Sequence, residues 1–380
     1  MWPRKSEHNA ATQLTLDSVM QIGVPKESKN HEYRVGMTPG SVQHLTRLGH
    51  EVWAQTSAGS TIGFSDAQYQ HAGAVIVNAD QAFAAPLVIK VKEPSVKECS
   101  RLHAGQVLFC YLHLATARTQ ASLLADQGVT AIAYETVTDR AGRLPLLAPM
   151  SEVAGRLSIQ VGANALHATS SGRGTLLGGV PGVAPAKVVI PGGGIAGTNA
   201  AYMAAGLQAD VTVIDQSVER LRALSGEFAG RIKVLMATED SIANAVGEAD
   251  LVIGAVLIPG ASTPKLVSRC QLKDMLPGAV LVDIAIDQGG AFESSRPTTH
   301  DAPTFVEQGI VHYCVTNMPG AVARTATQAL DNVTLPYIVA LAEKGWQQAL
   351  ADKPGFADGL NISDGKICHT AVARALAQTS

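Results

Sequence analysis

The stretch KVVIPGGGIAGTNAAYMAAGLQADVTVID, residues 187–215, constrains the fold more than any other part of the chain. An apolar, β-branched run leads into Gly192, Gly194 and Gly197, spaced G-x-G-x-x-G, and small helix-forming residues follow. Gly192 suits a tight turn, Gly194 lets the backbone approach a pyrophosphate, and Gly197 lets the helix press on the strand. The unpaired N–H groups and positive dipole end of such a helix attract phosphates. Asp215 closes the next strand, where a carboxylate accepts hydrogen bonds from ribose hydroxyls. It also disfavours a 2′-phosphate, since like charges about 4 Å apart repel by roughly 4 kcal/mol at an effective dielectric of 20. Arg220 lies close enough in sequence to soften that exclusion. Three spaced glycines alone also describe a flexible loop, but strand, helix and terminal Asp together specify a dinucleotide-binding βαβ unit. The motif sits mid-chain, behind a full series of α/β elements, which favours a nicotinamide coenzyme over FAD.

That preceding series has the same grammar. From Met20 onward, MQIGV, HEVWAQ, AVIV, PLVIKV, QVLFCYL and VTAIAYE read as strands separated by helical stretches, giving a parallel sheet with right-handed crossovers. LPLLAPMSEVAGRLSIQVGANAL reads as a linking helix beginning near Pro149. KVVIPG, DVTVID, RIKVLMA, DLVIGAV, AVLVDIAID and IVHYCVT then supply six strands for a dinucleotide-binding sheet. The remainder, from Val322 to Ser380, reads as mainly helical with no sheet of its own, returning to cover the first domain. The expected fold is therefore α/β with two doubly wound Rossmann-like domains, the second inserted into a discontinuous first. The boundaries are 20–145 plus 324–380 for a substrate domain and 146–323 for the dinucleotide domain. Residues 1–19 lack an apolar signal core and read as a disordered leader.

Composition excludes several function classes. With 46% hydrophobic but only 4% aromatic residues, the cores are built from Ala, Val, Ile and Leu. A net charge of -3 without basic stripes argues against nucleic acid and anionic membranes, and no apolar run reaches membrane-spanning length. The five cysteines, Cys99, Cys110, Cys270, Cys314 and Cys368, lack zinc or disulfide spacing and read as reduced thiols of a cytoplasmic protein.

A coenzyme of this kind acting on a small acid requires a cation for the carboxylate and a group that transfers protons. Arg34, just after the first strand, has the planar fork for a carboxylate, though residue type alone favours a surface arginine. Lys90 and Lys92, at the end of PLVIKV, fall on one side of an alternating strand, so periodicity does not choose between them. His113 follows QVLFCYL, where strand ends meet binding crevices, and fits a proton-transferring group as well as a core histidine. Asp283 and Asp287 lie on the strand AVLVD and its exit. Asp287 suits either proton transfer beside the nicotinamide or a turn before Gly289 and Gly290.

Taken together, GVPKExKNxExRVxxTP, KVKEP, LFxYLHLA, AYETV, LPLLAPMSEVAGR, GGVPGV, LVIGAVLIPG, VDIAIDQGG, SRPTTHD and NMPGAV make the chain from Met20 to about Ala377 resemble the alanine dehydrogenase family. The resemblance implies interconversion of L-alanine with pyruvate and ammonia, using NAD. It implies Arg34 and Lys92 as substrate-binding cations, His113 as the proton donor or acceptor and Asp287 as the second catalytic residue. It further implies NAD contacts at Ser151, Ile195, Ala196, Asp215, Arg220, Val256, Leu257, Ile284, Asp287, Arg296, Asn317 and Met318, several through backbone. A homohexamer is also implied. Some relatives carry acidic and histidine metal ligands in a late helix, where this chain has LPYIVALAEKGWQ, so no metal is expected. Two rival readings share the fold: the NAD-binding subunit of a proton-translocating transhydrogenase, and a non-catalytic NAD-binding protein.

Overall fold

The computed structural model describes residues 19–256 and 263–378. Short β-branched runs form strands wherever two faces are available for burial. The first six are β1 (Gln21–Val24), β2 (Glu51–Gln55), β3 (Val75–Val77), β4 (Leu87–Ile89), β5 (Val107–Cys110) and β6 (Thr130–Ala133). They pair in parallel in the order β3-β2-β1-β4-β5-β6. Side chains alternate between two cores. Ile22, Ile89 and Phe109 enter one, while Val88, Leu108 and Cys110 enter the other, so every residue of β5 and β6 is buried. Helices between them are started by side chains that satisfy free N–H groups: Thr38 caps Pro39–Arg47, and Ser65 and Asn78 form capping boxes with Gln68 and Gln81.

The second sheet contains β7 (Lys187–Pro191), β8 (Asp210–Asp215), β9 (Lys233–Met236), β10 (Leu251–Gly254), β11 (Val280–Asp283), β12 (Thr304–Glu307) and β13 (Ile310–Tyr313). Its order is β12-β13-β11-β10-β7-β8-β9, and every pair is parallel except β12 with β13. The chain thus follows the doubly wound order in both sheets. Sequence reading supplied six strands here, and β12 is the seventh. Its burial alternates between exposed and half-buried residues, and it pairs only with β13, so it lacks the apolar run that marks the buried strands.

The C-terminal stretch differs from expectation. After the helix Ala323–Asp352, bent at Gly345 with φ 72°, it supplies β14 (Leu360–Ser363) and β15 (Lys366–Ile367). Strand β14 adds antiparallel to β6, and β15 to β14, extending the first sheet to eight strands. These strands are too short for their alternation to stand out from the flanking helical pattern. The leader expected over residues 1–19 falls, apart from Val19, outside the described residues.

The linking helix, Ala148–Ala165, touches both halves. Met150 and Val153 join the first sheet's core, and Leu157, Ile159 and Ala165 join the second's. It lies tightly on the helix Ile195–Gly206, and a Cβ built on Gly155 would stand 2.1 Å from the carbonyl oxygen of Ala196.

Candidate active site

In doubly wound sheets a crevice opens at the carboxyl ends of the strands, where the strand order reverses. In the first sheet the reversal lies between β1 and β4. Arg34 is in the segment leaving β1, Lys92 in the segment leaving β4, and His113 in the segment leaving β5. Topology therefore places these three residues at neighbouring strand exits.

Arg34 is buried. Its Nε donates to Glu32 Oε1 at 2.7 Å, and its terminal nitrogens donate to Glu32 Oε2 at 2.5 Å, Asn317 Oδ1 at 2.6 Å and Met150 Sδ at 3.2 Å. Asn317 Nδ2 donates in turn to Glu32 Oε2 at 2.8 Å. Burial would raise the Glu32 pKa, but the Arg34 hydrogen bonds and charge, helped by Asn317, hold it at about 2. One fork of the guanidinium is thus already occupied by a carboxylate. Asn317 belongs to the second sheet's exit from β13, and its backbone N–H points to Asp287 Oδ2 at 3.4 Å. Asp287 is exposed on the turn after β11. Arg34, Asn317 and Asp287 consequently form one line of contacts across the two halves.

The two lysines have unlike surroundings. Past Ile89 the bonds to the β5 segment continue, with Lys90 N donating to Phe109 O at 3.3 Å and Tyr111 N to Val91 O at 3.0 Å. On the other side the Glu27 carboxylate takes the place of a neighbouring strand, its Oε1 accepting from Val91 N at 2.7 Å and Lys92 N at 3.4 Å. Lys90 is fully buried, 3.0 Å from Glu27 and 3.5 Å from Glu98. Burial alone would favour its neutral amine, but Glu27 and then Glu98 outweigh it and raise the pKa. Lys92 keeps some exposure and lies 3.5 Å from Glu93, which also pairs with Lys29. Burial pushes the Glu93 pKa up, whereas Lys92, Lys29 and His113 pull it below the usual carboxylate range.

His113 is half-buried in a left-handed conformation, φ 48° and ψ 35°. Its backbone N–H donates to Glu135 Oε1 at 2.6 Å, and its ring lies parallel to Tyr111, with centroids 5.9 Å apart. Asp283, the other carboxylate considered beside Asp287, is fully buried and accepts from Ala285 N, Ala291 N and Ser295 Oγ. Burial pushes its pKa up, and its bonds shape the loop that presents Asp287.

A cavity of about 500 Å³ opens beside the glycine turn, within the size range of small-molecule sites. Gly192 has φ +100°, and a Cβ on Gly197 would stand 1.8 Å from the Gly192 carbonyl oxygen, so the turn and the helix behind it both depend on glycine. On the Cβ side of Gly194 there is only open space. Gly192, Gly194, Ile195 and Ala196 line the cavity, together with Ser151 from the linking helix. Asp215, Val256 and Ile284 line it from the ends of neighbouring strands. Asp215 Oδ2 accepts from Gly193 N at 2.7 Å and Oδ1 from Ser217 N at 2.8 Å, leaving acceptor capacity on both oxygens. An open cradle at Gly194 beside a helix N-terminus and a terminal carboxylate fits a dinucleotide.

Other expected NAD contacts lie elsewhere. Arg220 braces the turn, donating to Gly193 O at 2.5 Å and to Thr198 Oγ1, and is not on the cavity wall. Arg296 is exposed with its guanidinium 4.2 Å from the Phe305 ring centroid. Asn317 carries the Arg34 contact, and the adjacent Met318 is buried. Leu257 lies outside the described residues.

Two family descriptions match the chain: "Alanine dehydrogenase/PNT, N-terminal domain" over residues 23–154 and "Alanine dehydrogenase/PNT, C-terminal domain" over residues 158–370. The chain belongs to the alanine dehydrogenase/PNT family. Among relatives, an alanine dehydrogenase of Halomonas elongata is 58% identical over 94% of this chain and 96% of its own length. One of Mycobacterium tuberculosis is 53% identical over 93% and 96%. A solved L-alanine dehydrogenase superimposes with a TM-score of 0.92 at 50% identity, over 95% of this chain and 100% of the other. A transhydrogenase from Sinorhizobium meliloti, at 24% identity over 91% and 99%, reaches a TM-score of 0.79, a likeness of fold.

Within this family frame, sequence reasoning overlooked the carboxylates Glu27, Glu32, Glu93 and Glu135. Each lies within a quoted motif and contacts a candidate side chain or its backbone. The available signal was an acidic residue a few positions from each cation or histidine, or in the next strand exit.

Proposed function

We propose that this protein catalyses the NAD-dependent, reversible oxidative deamination of L-alanine to pyruvate and ammonia. The observation that carries this reading is the meeting of Arg34, on the first sheet's exit, with Asn317 and Asp287, on the second sheet's, beside a cavity built on the glycine turn. NAD is the cofactor, and when bound it accepts or returns the hydride at substrate C2. The glycine turn and the Ile195–Gly206 helix N-terminus hold its phosphates, and Asp215 holds its ribose.

Arg34 and Lys92 bind and orient the substrate carboxylate and carbonyl. Because Glu32 and Asn317 take the Nε and Nη2 hydrogens of Arg34, the substrate meets Nη1, whose present acceptor is the weak Met150 Sδ, and the Arg34–Glu32 pair brings little net charge to the cleft. His113 transfers the proton at the substrate oxygen or nitrogen, assisted by Asp287. Asp287, Arg296, Asn317 and Met318 complete the nicotinamide end, while Arg220 acts through the turn it braces. Residues 20–145 and 324–380 form the substrate domain and residues 146–323 the NAD domain, a division supported by the pairing of β14 with β6. We further propose a cytoplasmic homohexamer; among the described residues no helix is long and apolar enough to cross a membrane.

The test is NADH oxidation by purified protein with pyruvate and ammonium, each omitted in turn. Turnover requiring both is expected, and no turnover with either keto acid or amino acid overturns the reading. General acid–base catalysis is typically worth about 10²- to 10⁴-fold. His113→Ala therefore loses at least that much turnover while retaining NADH binding.

A further inference from the structure

A dinucleotide brings two negative phosphates into the cavity, yet the turn that receives them supplies only backbone N–H groups and a helix dipole. Among the described residues lining the cavity, Arg143 is the one cation and Asp215 the one anion. Arg220, the cation expected nearby, bonds Gly193 and Thr198 behind the turn. Arg143 comes from the segment that follows β6, outside the second sheet. Its turn is fixed: Asp139 Oδ1 accepts from Ala141 N at 2.8 Å and Arg143 N at 3.0 Å, and Asp139 N donates to Arg143 O at 2.9 Å. Among the described residues only the Nε edge of the guanidinium is engaged, 2.7 Å from Asp139 Oδ2. The two terminal nitrogens remain for another partner.

We propose that Arg143 binds the pyrophosphate of the dinucleotide, supplying from the first half of the chain the positive charge that the glycine turn lacks. This rests on the NAD reading above. A guanidinium matches phosphate oxygens in planar, charge-assisted pairs, and Asp139 holds the fork by one edge so that little side-chain freedom is lost on binding. It also makes cofactor affinity depend on a residue outside the dinucleotide domain.

The experiment measures Kd for NADH, ADP and adenosine by fluorescence titration and competition, using the full chain and its Arg143→Ala and Arg143→Lys variants. Arg143→Ala weakens NADH and ADP by about three- to tenfold, the order of one charge-assisted bond made by a largely exposed side chain, and leaves adenosine unchanged. Arg143→Lys restores part of the loss, and raising salt from about 50 to about 500 mM narrows the gap as screening shortens. Equal Kd values for wild type and Arg143→Ala overturn the inference, as does an equal loss for adenosine, which identifies packing rather than phosphate recognition. A melting curve for each variant establishes that binding is compared between folded proteins. A wild-type chain that binds no NADH instead overturns the cofactor reading itself.

Discussion

His113 occupies backbone space that side-chain-bearing residues rarely visit, at a cost of roughly 1 kcal/mol, and persists there only when neighbours enforce it. Glu135 is that neighbour, its carboxylate receiving the N–H groups of both Leu112 and His113. Glu135→Gln removes the charge but not the volume. A hydrogen bond to a charged group is worth about 1.5–3 kcal/mol, so the expected loss in kcat is about ten- to a hundredfold. NADH affinity stays unchanged because the contact lies outside the dinucleotide cavity. Steady-state kinetics, the pH profile of kcat and NADH titration check this. A normal kcat and pH profile would remove Glu135 from the positioning of His113. Residue type and strand-exit position made Arg34, Lys92, His113 and Asp287 candidates without deciding among alternatives such as Lys90, and the family resemblance made the choice. Of their partners, Glu32 and Glu93 lie within two positions of a candidate cation and carried a local signal that went unread, whereas Asn317 lies 283 positions from Arg34, and no local pattern encodes such a contact.

At the scale of elements, legibility followed the strand-helix rhythm rather than burial. The parallel strands announced themselves as apolar runs within that rhythm, even β3 and β9, which are partly or largely exposed at sheet edges. Strands β12, β14 and β15, which pair antiparallel, did not, although β14 is mostly buried. Strand β13, buried along its length and second from the sheet edge, contains one residue that an apolar reading would not choose, His312. It is fully buried, with Nδ1 facing Ile310 O at 3.0 Å and Nε2 facing Ser294 Oγ at 2.7 Å. Burial pushes its pKa from 6.5 down to about 4. A folded value below the unfolded one means that the unfolded chain binds the extra proton more readily. The contribution of His312 is therefore present above pH 6.5 and declines as the pH falls toward 4. At pH 5 the loss is about 2 kcal/mol, at 1.36 kcal/mol per unit. His312→Gln should be less stable than wild type at pH 7 but show a smaller drop in melting temperature between pH 7 and pH 5. Parallel drops in the two proteins would contradict this assignment.

For the whole molecule, Asn317 is one of the residues through which the halves meet, together with Met150 on Arg34 and Asp301 on His31. Its side chain meets Glu32 and Arg34, and its backbone N–H faces Asp287. Asn317→Ala leaves Arg34 paired with Glu32 but free to shift, so the KM for pyruvate should rise about fivefold or more, consistent with loss of a charge-assisted bond. A KM within twofold of wild type would show that the crossing contact does not set the Arg34 position. The presence of two sheets was legible because two strand-helix series flank one linking helix. The contacts across the cleft were not, since they depend on how the two sheets meet.

The linking helix has a mechanical meaning. Gly155 seats it against the backbone at Ala196, so Ser151 and the glycine turn belong to one stiff bar, while Met150 on that bar touches Arg34 in the first half. Any rotation between the halves then carries Arg34 and Arg143 together against a bar that keeps Ser151 and the glycine turn aligned. The molecule works as a vice, with the glycine turn on one jaw and both arginines on the jaw that travels, so the gap over the substrate and part of the grip on the coenzyme change at once.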